Sequence, residues 1–236
     1  MKVMLFAAGL GTRLQPFTLT APKALYPING IPLLERNITY LKSFGFQNFV
    51  INVHHFADQI IEFLKINNNF EVQIQISDES DELLETGGGL LKAQQLLGEN
   101  PFLVMNADIL TDMNMSDFVK FHFEKNPLVS LAVSNRTSTR KLLFDKNFGL
   151  CGWKDLRDGE SIIQNEDYQH EMAFSGIHII HPDFFDLNTF HGKFSIMKPY
   201  MHLMSQHPIV GYDHTGSKLI DVGKPESVVL AEKWFD

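Results

Sequence analysis

Residues 1–25 read MKVMLFAAGLGTRLQPFTLTAPKAL. Residues 3–8 form an apolar run of strand length, and a turn of small residues (Ala7, Ala8, Gly9, Gly11) leads to Thr12 and Arg13. Pro22 and Lys23 close the segment. A strand running into a glycine turn offers backbone N–H groups to an anion, because no Cβ blocks the approach. Arg13 adds a forked donor and Lys23 a compact ammonium, a pair suited to phosphate oxygens. Two familiar phosphate loops are excluded. The dinucleotide fingerprint G-x-G-x-x-G needs a third small residue where this chain has Leu14, and Pro16 follows two positions later. The P-loop needs G-K-[ST], a tripeptide absent from the chain. On its glycines alone, an ordinary strand-to-turn connection with exposed cations is the commoner reading.

Outward from this stretch, the pattern alternates. Leu33, Leu34, Ile38, Leu41 and Phe44 recur at helical spacing behind Pro32 as a first-turn proline, and Gly45 ends that helix. Residues 49–53 read as a second strand and 57–66 as a helix, broken by three asparagines at 67–69. Val72, Ile74 and Ile76 alternate with glutamines in a third strand with one wetter face. An acidic loop, 78–85, leads into the turn Thr86-Gly87-Gly88-Gly89 and a helix through Leu97. A fourth strand, 102–105, ends at Asn106-Ala107-Asp108. Such alternation predicts βαβ units: an α/β fold with a Rossmann-like mixed, mainly parallel sheet flanked by helices. Ligands bind such sheets outside the carboxyl ends of the strands. The glycine loop, the 86–89 turn and Asp108 are therefore expected to meet on one edge.

The second half reads as a helix (116–125), a strand (129–133), hairpins laid over the sheet (140–163) and a strand (174–180). A helix (196–205), short strands (209–213 and 218–220) and a closing helix (225–235) follow. No linker or repeat interrupts the chain, so a single domain over 1–236 is expected. A net charge of −8 argues against nucleic acid as a partner. No apolar run reaches the ~20 residues needed to span a bilayer. Cys151 is alone, which excludes a disulfide framework and a thiolate metal site. Together these predict a soluble, cytoplasmic protein without membrane partners. His54, His55, His178 and His181 read as packing or surface residues; spacing i, i+3 in a strand puts the last two on opposite faces.

In full, G-L-G-T-R-L-x-P-x-T followed by P-K-A-L resembles the signature of the sugar-1-phosphate nucleotidyltransferases, usually G-x-G-T-R-L-x-P-L-T and P-K-P-L. Phe17 replaces the usual Leu and Ala24 the usual second Pro, neither of which carries a polar contact. The resemblance covers the whole chain and implies a nucleotide-diphospho-sugar transferase (GT-A-like) fold. Residues 1–133 would form its nucleotide-binding half and 134–236 its sugar-side half, with no room for an appended β-helix domain. The implied substrates are a nucleoside triphosphate and a sugar 1-phosphate, and the implied cofactor is Mg²⁺. Ala7, Ala8, Gly9, Gly11, Thr12 and Arg13 would bind the nucleotide, and Lys23 would act at the reacting phosphate. Asp108, from the family's G/N-x-D motif, and Asp221, from D-V-G-K-P-E, would hold the metal, with Asp108 joining Lys23 and Arg13 as catalytic residues. From position alone, Asp108 remains open as a turn cap.

Glu82, Thr86 and Gly88 fall on the stretch that lies against the nucleobase in the family; Leu83 stands where a proline is usual. Asn106, with Ser175 and Gly176 of F-S-G-I, would meet the sugar. The relatives' V-E-K-P lysine has no counterpart in residues 162–172. L-E-T-G-G-G at 84–89 resembles the branch that uridylylates N-acetylmuramate 1-phosphate in cell-wall recycling. Alternatives are another acceptor with CTP or GTP, or a non-catalytic nucleotide-sugar sensor. Nothing in the sequence assigns an oligomeric state.

Overall fold

The computed structural model describes residues 1–235; Asp236, the last residue of the expected domain, lies outside the described residues. Strand β1 (Val3–Phe6) is followed by a two-residue hairpin, β2 (Pro27–Ile28) and β3 (Ile31–Pro32), and by helix α1 (Leu33–Ser43). Then come β4 (Asn48–Val53), α2 (Ala57–Ile66), β5 (Gln73–Asp78), α3 (Glu85–Lys92), α4 (Gln94–Leu97) and β6 (Phe102–Asn106). In β6-β1-β4-β5 every neighbouring pair is parallel. This is the βαβ arrangement expected from the alternating pattern.

After β6 the chain adds β7 (Ile109–Thr111), α5 (Met115–Lys125) and β8 (Val129–Ser134). The hairpins of 140–163 are β9 (Arg140–Phe144), β10 (Leu150–Asp155) and β11 (Ser161–Ile163). β12 (His170–Ile180) is the longest strand, and α6 (Phe184–Leu187), α7 (Met197–Leu203), β13 (Ile209–Asp213), β14 (Leu219–Asp221) and α8 (Pro225–Trp234) complete the described chain. β12 pairs antiparallel with β6, with β8 and, through its first three residues, with β9. The sheet is therefore mixed: parallel in the first half, antiparallel where the second half joins.

The period-2 alternation of the buried strands divides the core. Val3 and Leu5, with Leu103 and Met105, face α1, α2 and α5, where Leu34, Ile38, Ile60 and Phe118 pack. Met4, Val50, Phe102 and Val104 face the other way, onto Leu90, Tyr200 and Leu203. Three local expectations are corrected. Pro32 stands one position before α1, in extended conformation, rather than inside its first turn. The helix through Leu97 is two pieces divided at Ala93. The glycines at 87–89 lie within α3, not in a turn ahead of it.

His178 and His122 are both buried, His178 against the Tyr200 hydroxyl (2.9 Å) and His122 against Ser130 (2.9 Å). Both are core residues closed onto a neighbouring hydroxyl, as packing histidines would be. Burial lowers their pKa values from 6.5 to about 3 and about 4. The folded state thus resists protonation that the unfolded chain accepts. Their contribution to stability is complete above about pH 6.5 and is lost as pH falls from there toward 4, at about 1.4 kcal/mol per unit and group. The urea midpoint is expected to drop between pH 7 and pH 5. An unchanged midpoint would contradict the neutral, buried assignment.

Candidate active site

β6 ends at Asn106, and the turn after it is held from both sides. Ala107 N–H donates to the Phe6 carbonyl (3.0 Å), and the buried Asn37 amide donates to the Ala107 carbonyl (2.9 Å). Asp108 is thereby fixed at the carboxyl edge of the sheet, beside the glycine loop. The three-residue strands β7 and β14 then perform a join that no periodicity announces. They pair antiparallel with Asp221 opposite Ile109, and Val222 N–H donates to the Asp108 carbonyl (2.8 Å). Asp108 and Asp221, far apart in the chain, become neighbours.

Lys23 is nearly buried, and its ammonium forms an ion pair with Asp108 Oδ2. Gly11 adopts φ +63°, and a Cβ there would approach Lys23 Cβ to 2.7 Å. Only glycine lets the loop close over the lysine stem. On the other side, a Cβ on Gly223 would come within 2.7 Å of Asp221 Oδ1, 2.9 Å of Arg13 Nη2 and 3.4 Å of Lys23 Nζ. Those three charged groups therefore crowd one backbone position. Asp221 is exposed as a residue, but its carboxyl end packs against the Gly223 backbone position beside Arg13, and its pKa is pushed up. Removal from water contributes most and the Asp108 charge next, against the opposing pull of Lys23, Arg13 and Arg136. Two carboxylates in mutual repulsion form a site that favours a cation.

Ala7, Ala8, Gly9, Lys23, Thr86, Asn106 and Asp108 line a cleft of about 360 Å³. The expected convergence on one sheet edge is thus present. Arg13 and Thr12 are exposed beyond this lining, Arg13 beside Asp221. Glu82 points to solvent and is not part of the lining; Glu79 is. Gly88 is buried in α3 away from the cleft, where a Cβ would sit 2.1 Å from the Gly192 carbonyl oxygen. Gly87 N–H donates to the Phe194 carbonyl (2.8 Å), and Thr86 Oγ1 accepts from Ile196 N–H (3.0 Å). The glycines let a second chain segment close onto α3. Gly88→Ala is expected to cost about 1–3 kcal/mol of stability through overpacking, read as a lower urea midpoint. A wild-type midpoint would refute that contact. Gly176, at φ +71°, packs under the Asn106 amide, while Ser175 is buried with its hydroxyl on His214 Nε2 (2.7 Å). Ser175 supports the wall and does not line the cleft.

Sequence reasoning did not find the support on the opposite wall. Ala7 N–H donates to Asn52 Oδ1 (2.7 Å), Asn52 Nδ2 donates to Glu79 Oε1 (2.6 Å), and Leu84 N–H donates to Glu79 Oε2 (3.2 Å). This chain of bonds ties the glycine loop to the start of α3. The available signal was a polar residue at the carboxyl end of each of β4 and β5, positions the fold reserves for ligands.

A glycine loop, a buried lysine and two neighbouring carboxylates meet at strand ends, an arrangement suited to nucleotide phosphates. Residues 2–142 match the family described as Nucleotidyl transferase, and the chain belongs to that family. It is a sugar-1-phosphate nucleotidyltransferase: it is 32% identical over 99% of its length to the whole of N-acetylmuramate alpha-1-phosphate uridylyltransferase from Neisseria meningitidis. It is also 26% identical to mannose-1-phosphate guanyltransferase from Yarrowia lipolytica, over 96% of this chain and 61% of that protein. The crystal structure of HddC from Yersinia pseudotuberculosis complexed with GMP-PN superposes with a TM-score of 0.80 over 100% of this chain and 99% of the other. At 23% identity that likeness defines the fold.

Proposed function

We propose that the protein transfers a uridylyl group from UTP to N-acetylmuramate 1-phosphate. A phosphate oxygen of the sugar 1-phosphate attacks the α-phosphorus, the α–β bridging P–O bond breaks, and pyrophosphate leaves. The nucleophile is already anionic, so no general base is required, and catalysis reduces to positioning and charge stabilisation. The glycine-loop amides, Thr12 and Arg13 grip the β- and γ-phosphates. Lys23, released from Asp108, neutralises charge at the α-phosphate. Thr86 and Glu79 flank the base side, and Asn106 and Gly176 the sugar side. Asp108 and Asp221 would hold Mg²⁺, since two hard carboxylates side by side match that ion's preference for oxygen donors. When bound, the metal neutralises charge on the phosphates.

The observation that carries the uridylyl reading is the full-length identity to the Neisseria enzyme, together with L-E-T-G-G-G at 84–89. A guanylyl reading with mannose 1-phosphate is supported by the Yarrowia relative. A sensor would have no need of Lys23, Asp108 and Asp221 together. The test is pyrophosphate release with each of four triphosphates against glucose, mannose and N-acetylmuramate 1-phosphates. The expected pair is UTP with N-acetylmuramate 1-phosphate. Turnover of another pair with silence from this one would overturn the substrate assignment.

A further inference from the structure

Arg136 lies outside every motif of the cleft. It follows β8 in a polar segment and is only partly exposed; the end of β8 is bonded to the His214 corner, His214 N–H donating to the Val133 carbonyl (3.0 Å) and Asn135 N–H to Thr215 Oγ1 (2.9 Å). One guanidinium nitrogen, Nη2, donates to the Phe174 carbonyl (2.8 Å). The buried Nε has no partner among the described residues.

The place of that anchor matters. Phe174 opens an irregularity in β12: the register against β8 moves from Phe174↔Val133 to His178↔Leu131, so four steps on one strand face two on the other. Ser175 and Gly176 lie in the displaced stretch, and Gly176 carries the Asn106 side chain of the cleft floor. Arg136 therefore grips the backbone of the acceptor-side wall. Three cations act on Asp221, namely Lys23, Arg13 and Arg136. The first two stand on the glycine-loop side, where the triphosphate oxygens claim them. An acceptor phosphate entering beyond Asn106 meets the negative charge of Asp108 and Asp221, which a cation held on the Phe174 side offsets.

We propose that Arg136 is the acceptor-side anion-binding residue, taking the phosphomonoester of the sugar 1-phosphate while the Phe174 carbonyl holds its guanidinium in place. The inference rests on the nucleotidyl-transfer reading of the same cleft. A planar fork fixed at one corner suits two phosphate oxygens, and an ammonium on a flexible stem reproduces the charge without the fork.

The experiment is steady-state kinetics of the wild type, R136A and R136K with the triphosphate and sugar 1-phosphate that turn over fastest, alongside melting curves. R136A is expected to raise the acceptor KM by about 10–100-fold, the loss typical of charged hydrogen bonds. The nucleotide KM should stay within about twofold, and R136K should fall between the two. An acceptor KM within about twofold of wild type in either folded variant, or a parallel rise of both KM values, would overturn the proposal. Should R136A melt early, R136K decides by the same criterion. Absence of wild-type turnover with every pair would overturn the nucleotidyl-transfer reading instead, so the two failures are distinct.

Discussion

Lys23→Ala is expected to lower kcat ~10²–10³-fold, the usual loss when one preorganised charge partner of a reacting oxyanion is removed. The fold should persist: the ammonium pairs with Asp108 at the cleft edge, and the stem packs on the glycine loop without carrying a core. Asp108→Asn is expected to lose a similar factor by another route, because it removes half of the carboxylate pair. The two variants separate on titration with Mg²⁺. Higher metal should recover part of the Asp108→Asn activity and none of the Lys23→Ala activity. Pyrophosphate release by Lys23→Ala within tenfold of wild type would remove Lys23 from the reacting phosphate.

Asp221→Asn is expected to move stability and activity in opposite directions. The folded protein raises the Asp221 carboxyl by withdrawing it from water and by the Asp108 charge. A raised acid pKa means that the ionised form is favoured more in the unfolded chain, so the charge destabilises the metal-free fold at neutral pH. Neutralising it should raise Tm, on the order of 2–4 °C per kcal/mol of repulsion relieved, in buffer free of divalent cations. The same change removes a metal oxygen, and turnover should fall ~10²-fold or more. The extra stabilisation that wild type gains from Mg²⁺ with UTP should disappear. A lower Tm for metal-free Asp221→Asn would show that the attraction of the neighbouring cations outweighs burial and repulsion.

Much of this was written in the chain. The parallel half follows from apolar runs alternating with amphipathic helices, and the glycine loop and Asp108 fall where those runs end. What stayed hidden was tertiary. β7 and β14 are three residues each, too short for a period to register, yet their pairing is what sets Asp221 beside Asp108. Gly87, Gly88 and Gly89 read as a turn because glycine is a poor helix former; close approach of the 192–194 backbone overrides that preference. Glu82 matched a motif position, whereas the buried bonding of Asn52 and Glu79 depends on side chains meeting across strands. Arg136 sits in an aperiodic polar stretch, and its bond to Phe174 spans two strands.

β12 is a spine shared by three other strands of the sheet. One continuous run of eleven residues is laced to β6, to β8 and, through its first three residues, to β9. A hinge opening the sheet between β6 and β8 would have to break one of the ladders along that run. A hinge through the sheet is thereby disfavoured, and the strands that carry Asn106 and Gly176 are held at fixed spacing by their ladder. The alignment of two anions, which is costly when reactants must find each other, is built in before either arrives.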